Sequence, residues 1–282
     1  MALTVNTNTT SLGVQKNLNR ASDALSTSMS RLSSGLKINS AKDDAAGLQI
    51  STRMTSQIRG QTMAIKNAND GISIAQTAEG AMQEQVNILQ RMRELALQSR
   101  NDSNDSTNRT SLDNEFKQMS AELTRIAQST QLNGKNLLDG SASTMTFQVG
   151  SNTGGENQIS IDLSAKFLAS DLGITSAITI AGSDSTTAQT NFSAAMGAID
   201  SALAKIGTAR ADLGAVQNRM TSTINNLQNI NENAEAARGR VQDTDFAAET
   251  AQMTKQQTLQ QASTSVLAQA NQLPSAVLKL LG

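Results

Sequence analysis

Cysteine and histidine are both missing from this 282-residue chain. Without cysteine there is no disulfide, no thiolate nucleophile and no sulfur ligand for zinc. Without histidine there is no imidazole base, no pH switch near neutrality and no HExxH metal site. Trp and Tyr are also absent and Phe occurs only five times. The aromatic anchors that dominate compact ligand pockets and interface hot spots are therefore in short supply. Proline occurs once, at Pro274, so little in the chain interrupts long helices. Neither sign of charge dominates, because 23 basic and 24 acidic residues leave a formal net charge of -1. That balance lacks the electrostatic footprint of a nucleic-acid or anionic-membrane binder. No run approaches the ~20 apolar residues that span a bilayer. The opening MALTVNTNTT has neither a basic n-region nor an apolar h-region, so a general secretory signal is not expected. No catalytic residue, metal site or cofactor is expected either.

What the chain does have is helical period. Leu18, Ser22, Leu25, Met29, Leu32 and Leu36 follow the 4-3-4-3-4 spacing of a coiled-coil seam. A break is expected near 35–46, with Ser40 as N-cap of the next helix and Asp43 in its first turn. A second helix is expected from about Ala45 to Arg100, with apolar positions Ile65, Ile72, Met82, Val86, Leu89, Met92, Leu95 and Leu97. NDSNDSTNRT then reads as a loop. Leu112, Phe116, Met119, Leu123 and Ile126 mark a third helix, stopped by the turn signals Asn133-Gly134 and Asp139-Gly140.

The middle changes period. Met145, Phe147 and Val149 alternate with polar residues, as do Ile159, Ile161 and Leu163, across a Gly-rich turn, which predicts a β-hairpin. AITIA at 177–181 is expected to be a further strand. Period 3.6 then returns through Phe192, Met196, Ile199, Leu203, Ile206, Leu213, Val216, Met220, Ile224, Leu227 and Ile230. A last helix from about Phe246 carries Leu259, Val266, Leu273 and Leu280 at steps of seven, with Ala270 and Val277 beside them.

The expected fold is mainly α: an elongated antiparallel helical bundle or coiled coil built from both termini, with a small β-hairpin region at about 141–189. The terminal helices would form one domain (1–44 with 240–282) and the rest an outer domain (45–239). Two paired helices cover only one side of each, and fully burying a large apolar side chain contributes roughly 1.5–3 kcal/mol. Exposed apolar rows at both chain ends therefore point to an interface. Other copies of the same chain are the economical partner, and head-to-tail contacts that do not close generate a helical filament. The residues expected to carry self-assembly are Leu18, Leu25, Met29, Leu32, Leu36, Leu259, Val266, Leu273, Val277 and Leu280. Asp43 and Asp44 are adjacent and point about 100° apart on a helix, so they are read as structural polar contacts, not as an acid–base pair.

SMSRLSSGLKINSAKDDAAGLQISTRMTSQIRG, NANDGISIAQTAEGAMQEQVNILQRMRELALQS and RIAQSTQLNGKNLLDG resemble the N-terminal half of bacterial flagellin. The stretch from RADLGAVQNRM to LPSAVLKLL resembles its C-terminal half. The resemblance covers about 1–140 and 190–282 and implies a short flagellin: a subunit of the flagellar filament, passed unfolded through the flagellar export apparatus without a Sec signal, and located outside the cell. It also implies an export chaperone, hook-associated and cap proteins as partners. Positions Arg91, Leu95, Gln98 and Glu115 match those that contact a vertebrate Toll-like receptor and are buried between filament subunits. Val277, Leu278, Leu280 and Leu281 match the segment bound by the export chaperone and sensed in the host cytosol. A hook–filament junction protein, with similar termini, is the alternative; the intact QRMREL and LGAVQNR strings favour flagellin. Enzymatic inserts known in some flagellins need histidine ligands and more residues than this middle region supplies.

Overall fold

The computed structural model describes residues 7–281, with side chains as far as Gln272. Five α-helices carry most of the chain: α1 (Thr9–Ser34), α2 (Ala45–Arg100), α3 (Ser106–Ser129), α4 (Ser185–Gln242) and α5 (Phe246–Leu281). Two antiparallel hairpins lie between α3 and α4. One pairs β1 (Gln131–Leu132) with β2 (Lys135–Asn136), the other β3 (Ser143–Gln148) with β4 (Gln158–Leu163). The chain divides into two compact units, Met1–Ile58 with Glu232–Gly282, and Arg59–Asn231. The boundaries between these units fall inside α2 and α4, not in the loop at 35–44.

The Arg59–Asn231 unit has one continuous hydrophobic core. α2 and α4 run antiparallel, since Gly71 abuts Met220, Glu79 meets Arg210 and Gln217, and Arg93 meets Asp200. α3 is antiparallel to α2 in the same way, through Gln85 with the Leu123 carbonyl, Arg91 with Glu115, and Arg109 with the Ser99 carbonyl.

The face that α2 buries is Ala64, Ala68, Gly71, Ala75, Ala78, Met82, Gln85, Leu89, Met92, Ala96 and Ser99. These follow a strict 4-3 alternation, and the first half contains only Ala and Gly. Of the expected apolar positions, Met82, Leu89, Met92 and Leu95 are buried, Ile65, Ile72 and Val86 are half-buried, and Leu97 is 64% exposed. Small side chains let helix backbones approach, so they occupy the seam and the larger residues flank it. At Gly71 an added Cβ would sit 2.6 Å from Met220 Cε and 3.3 Å from Phe147 Cγ. α4 does the same, burying Ala195 and Ala202 in alternation with Ile199 and Ile206 while Met196 and Leu203 are half-buried.

α3 starts where Asp105 accepts a hydrogen bond from the Asn108 N–H at 2.7 Å, a cap that contributes about 0.5–2 kcal/mol. Phe116 and Leu123 point into the core. The Asn133-Gly134 turn joins β1 and β2 with both residues at positive φ (51° and 74°). That is the geometry a two-residue hairpin requires. β4 alternates as expected, with Ile159, Ile161 and Leu163 buried.

The expected strand at 177–181 does not form. Its backbone finds side-chain partners instead of a neighbouring strand. Asp113 accepts from the Ile180 N–H (2.8 Å) and the Thr179 hydroxyl (2.7 Å). Ser99 donates to the Ile180 carbonyl (2.6 Å) and Asn191 to the Ala181 carbonyl (2.5 Å). Three helices thus hold an irregular connector whose Ile180 is buried in the core. Burial works against the charge on Asp113, but the Lys117 ammonium 2.6 Å away and the two connector donors outweigh it, so its carboxyl titrates below the usual range.

Candidate self-assembly surfaces

In the unit formed by the two chain ends, α1 and α5 pack as an antiparallel pair. Asn8 donates to the Ala270 carbonyl (2.8 Å) and Ser11 to Asn271 (2.8 Å) at one end. Arg31 lies 3.7 Å from Glu249 near the other. Beyond it, Lys37 N–H donates to the Gln242 carbonyl (2.7 Å) and Thr244 N–H to the Gly35 carbonyl (3.0 Å). Asn8 also caps α1 by accepting from the Ser11 N–H (3.0 Å). Gly35 ends α1 at φ 72°, returning its N–H to the Arg31 carbonyl. This left-handed C-cap position favours glycine.

The buried seam of α1 is not the expected one. Leu18, Leu25, Leu32 and Leu36 are half-buried, but the residues that disappear between them are Ala21 and Ser28, one position before the expected Ser22 and Met29. Ser22 is exposed and Met29 is 57% exposed. The reason is again close approach, since Ala21 and Ser28 allow the partner helix in where Met29 would hold it away.

On α5 the shielded row is Glu249, Met253, Gln256, Gln260, Ser263, Leu267 and Ala270. This is a 4-3-4-3-4-3 stripe in which four of seven residues are polar, which is why a search for Leu and Val passes over it. The spacing alone could have found it. Leu259 and Val266 sit one position before Gln260 and Leu267 and stay 44% and 46% exposed. The expected row is therefore a second stripe beside the intramolecular seam. α5 continues to Leu281, but the side chains of Leu273, Val277, Leu278, Leu280 and Leu281 lie outside the described residues.

Leu12, Ile50 and Phe246 add further exposed apolar side chains to this unit. Among the described residues, those it buries are few and mostly small: Ala21, Ser28, Ile38, Gly47, Ser51, Ile58 and Ala270.

The turn at 35–44 corrects the capping expectation. Ser40 does not cap α2; Asp44 does, accepting from the Gly47 N–H at 2.9 Å. Asp43 turns back instead and accepts from the Ser40 and Asn39 N–H groups (2.9 and 3.1 Å) and the Ser40 hydroxyl (3.1 Å). Those donors, the Ser40 N–H first, keep its carboxyl below the ordinary value. Both carboxylates are committed to the backbone, as structural polar contacts.

The second candidate surface belongs to the Arg59–Asn231 unit. Arg91 on α2 donates to Glu115 on α3 from Nε (3.2 Å) and a terminal nitrogen (2.9 Å), and to Glu94 (3.1 Å). Arg91 and Gln98 are exposed and Glu115 half-exposed. Leu95, expected on the same face, is fully buried in the core. It joins Met92 and Ala96 in the hydrophobic core. Of the four expected contact residues, the structure brings Arg91 and Glu115 together, leaves Gln98 accessible and withdraws Leu95.

Among the described residues no group of three or more carboxylates could hold a metal ion, and no helix is long and apolar enough to cross a membrane.

Residues 5–143 match the family model of the bacterial flagellin N-terminal helical region, and residues 196–281 that of its C-terminal helical region. Flagellin B of Vibrio cholerae is 42% identical, with all of both chains covered. That alignment runs over 376 positions against the 282 residues here, so this chain is the shorter by the gaps it carries. Polar flagellin C of Vibrio parahaemolyticus is 39% identical, again over the whole of both chains. Among solved structures, a Vibrio parahaemolyticus protein described as flagellar hook-associated shares the fold at a TM-score of 0.60, with 14% identity over 71% of this chain and 100% of that one. The chain belongs to the bacterial flagellin family, whose members are structural subunits of the flagellar filament.

Proposed function

We propose that this chain polymerises into the filament through the apolar rows its terminal helices leave uncovered. The observation that carries the reading is the division of labour on α5. A largely polar stripe faces α1, while Leu259 and Val266 remain exposed beside it. A helix that needed only its own chain would turn its largest apolar residues inward. Other subunits are the partner that buries them without an anionic lipid or a basic helix face. Met29, Leu12 and Phe246 extend the same argument to the rest of the unit.

The exposed part of the Arg91, Gln98 and Glu115 face is a lateral contact between subunits in the filament and, on the free subunit, the surface a host Toll-like receptor reads. Leu95 supports that face from beneath and is not a contact. The subunit leaves the cell through the flagellar export apparatus, its C-terminal segment held by an export chaperone. It adds to the filament beneath cap proteins and beyond hook-associated ones. The hook–filament junction reading is the weaker one, because the full-length relatives at 42% and 39% identity are flagellins.

The test is polymerisation of purified protein, followed by sedimentation and electron microscopy. Deleting 275–282, or replacing Leu259 and Val266 together by Ser, is expected to leave a folded 59–231 unit and to abolish filaments. Filaments of normal length from the double variant would overturn the assignment of this row. Receptor reporter cells exposed to monomeric wild type and Arg91→Asp test the second surface, with loss of signal expected for the variant.

A further inference from the structure

Three places in the chain put an Asn or Asp directly before Gly: Asp70-Gly71, Asn133-Gly134 and Asp139-Gly140. In each, the glycine backbone nitrogen is one five-membered ring away from the preceding side-chain carbonyl. A glycine offers the least steric resistance to closing that ring. The structure closes two of the three positions and leaves one open.

Gly71 lies inside α2, buried against Met220 and Phe147, and its nitrogen is held in the helix. At Asp139-Gly140 the carboxylate is engaged three ways. Its Oδ1 accepts from the Ser141 N–H (2.9 Å) and hydroxyl (2.6 Å), and its Oδ2 from Asn136 (2.7 Å). Those donors, the Ser141 hydroxyl first, lower its pKa, so it stays ionised and is a poor electrophile. Lys166 and the Ser164 carbonyl also crowd Gly140.

Asn133-Gly134 differs on every count. Both residues are exposed. No hydrogen bond engages the Asn133 amide or the Gly134 N–H among the described residues. Nothing lies within 4 Å of where a Cβ on Gly134 would be. The turn is held by a hairpin with only two residues in each strand, and such a short ladder opens locally at low cost.

We propose that Asn133 is a site of spontaneous covalent modification, converting with water to a mixture of aspartyl and isoaspartyl forms. The Gly134 amide nitrogen, on losing its proton, attacks the Asn133 side-chain carbonyl carbon. A carbon–nitrogen bond forms, the bond to the side-chain nitrogen breaks, and ammonia leaves with the transferred proton. The resulting succinimide is opened by one water molecule at either carbonyl. Opening at the main-chain carbonyl reroutes the backbone through the side-chain carbon and adds a methylene to a two-residue turn. No oxidant or enzyme is needed.

The consequence is local and specific. A lengthened turn cannot keep Leu132 opposite Lys135. That pairing sets the path into the Leu137 N–H to Thr130 carbonyl bond (3.0 Å) and the fully buried Leu137 and Leu138. Each conversion also adds one negative charge. An older subunit would thus differ from a new one in charge and in the packing of this corner.

The experiment is peptide mapping by mass spectrometry on the full-length folded chain, incubated for weeks at neutral and mildly alkaline pH. Isoaspartyl residues are labelled by an isoaspartyl methyltransferase, and the same chain in urea gives the unrestrained rate. Conversion is expected at residue 133 before any other Asn or Asp, faster at higher pH, and absent in Asn133→Gln. Because the turn opens locally, the folded rate should stay within about tenfold of the urea rate. An unmodified Asn133 in the folded chain alongside rapid conversion in urea would overturn the proposal. So would isoaspartate at residue 139 forming as fast as at residue 133.

Discussion

The two compact units are both helical and both follow 4-3 spacing, yet they use it differently. In Arg59–Asn231 the seam leads to a filled interior: Met82, Leu89, Met92, Leu95, Phe116, Leu123, Leu137 and Leu138 are all essentially inaccessible. Among the described residues of the unit made by the chain ends, the buried positions are mostly Ala, Ser and Gly, and Leu12, Met29, Phe246, Leu259 and Val266 face outward. The first unit buries most of its large apolar side chains within one chain, with Met63, Leu97 and Ile230 left exposed. The second satisfies its backbone and its seam but leaves its largest side chains for a neighbour. Amphipathic spacing alone does not say whether a stripe is core or interface.

The sharpest way to break the comparison is to excavate the filled unit. Phe116→Ala is expected to cost about 3–5 kcal/mol in denaturant unfolding, the range for deleting a buried aromatic. A loss below about 1 kcal/mol would mean that this core is not packed as described.

The next effect is at the connector. Asp113→Ala removes the acceptor for the Ile180 N–H and the Thr179 hydroxyl and leaves buried donors unpaired, at about 1–3 kcal/mol. The sign of its pH dependence follows from the lowered pKa. The stabilisation is complete above the ordinary carboxyl value of 3.8 and is lost as pH falls below it through the folded value. Lys117 on α3 faces the same carboxylate, 2.6 Å away, and Arg109 lies one turn from it. Acid unfolding of Asp113→Asn should show a smaller loss than wild type between neutral pH and that window.

A smaller effect is expected from Asn8→Ala, which removes the α1 cap and the bond to the Ala270 carbonyl, at about 1 kcal/mol. Hydrogen exchange should register it in α1 and α5 and leave the protection of α2 and α3 in the other unit unchanged. Smallest of all in the monomer is Leu259→Ser. An exposed substitution should shift stability by no more than about 0.5 kcal/mol, while sedimentation shows a large loss of polymer. That pairing, a silent monomer and a failed filament, separates interface from core more cleanly than any other test here.

Much of the fold was legible because α-helices and hairpins announce themselves locally. The 45–100 helix, the start of the last helix at Phe246, the Asn133-Gly134 turn and the alternation of Ile159, Ile161 and Leu163 all follow from period, propensity and turn chemistry. The misplacements share one cause. Large apolar residues stand out in a sequence and small ones do not, so Met29, Ile65 and Leu259 mark the helix faces while the shielded rows run through Ala21, Ser28, Ala64, Ala68 and Gln260. Contact between helices is limited by how close two backbones can come, and that depends on both helices at once. The same applies to Leu95, buried in the core that several elements build together, and to 177–181. There a strand-like composition gave way to side-chain partners on three helices far apart in sequence.

The sequence alone determined which side-chain chemistries the chain lacks, the helical class, most of the helices and the family. All of these rest on composition, on local spacing or on long strings of matching residues. Only the tertiary structure decided which of two adjacent stripes on each terminal helix meets its own chain and which stays open. It also decided which of three Asn or Asp residues before a glycine is chemically exposed. Burial is a property of the partner surface, and a single helix carries no record of which partner arrives first.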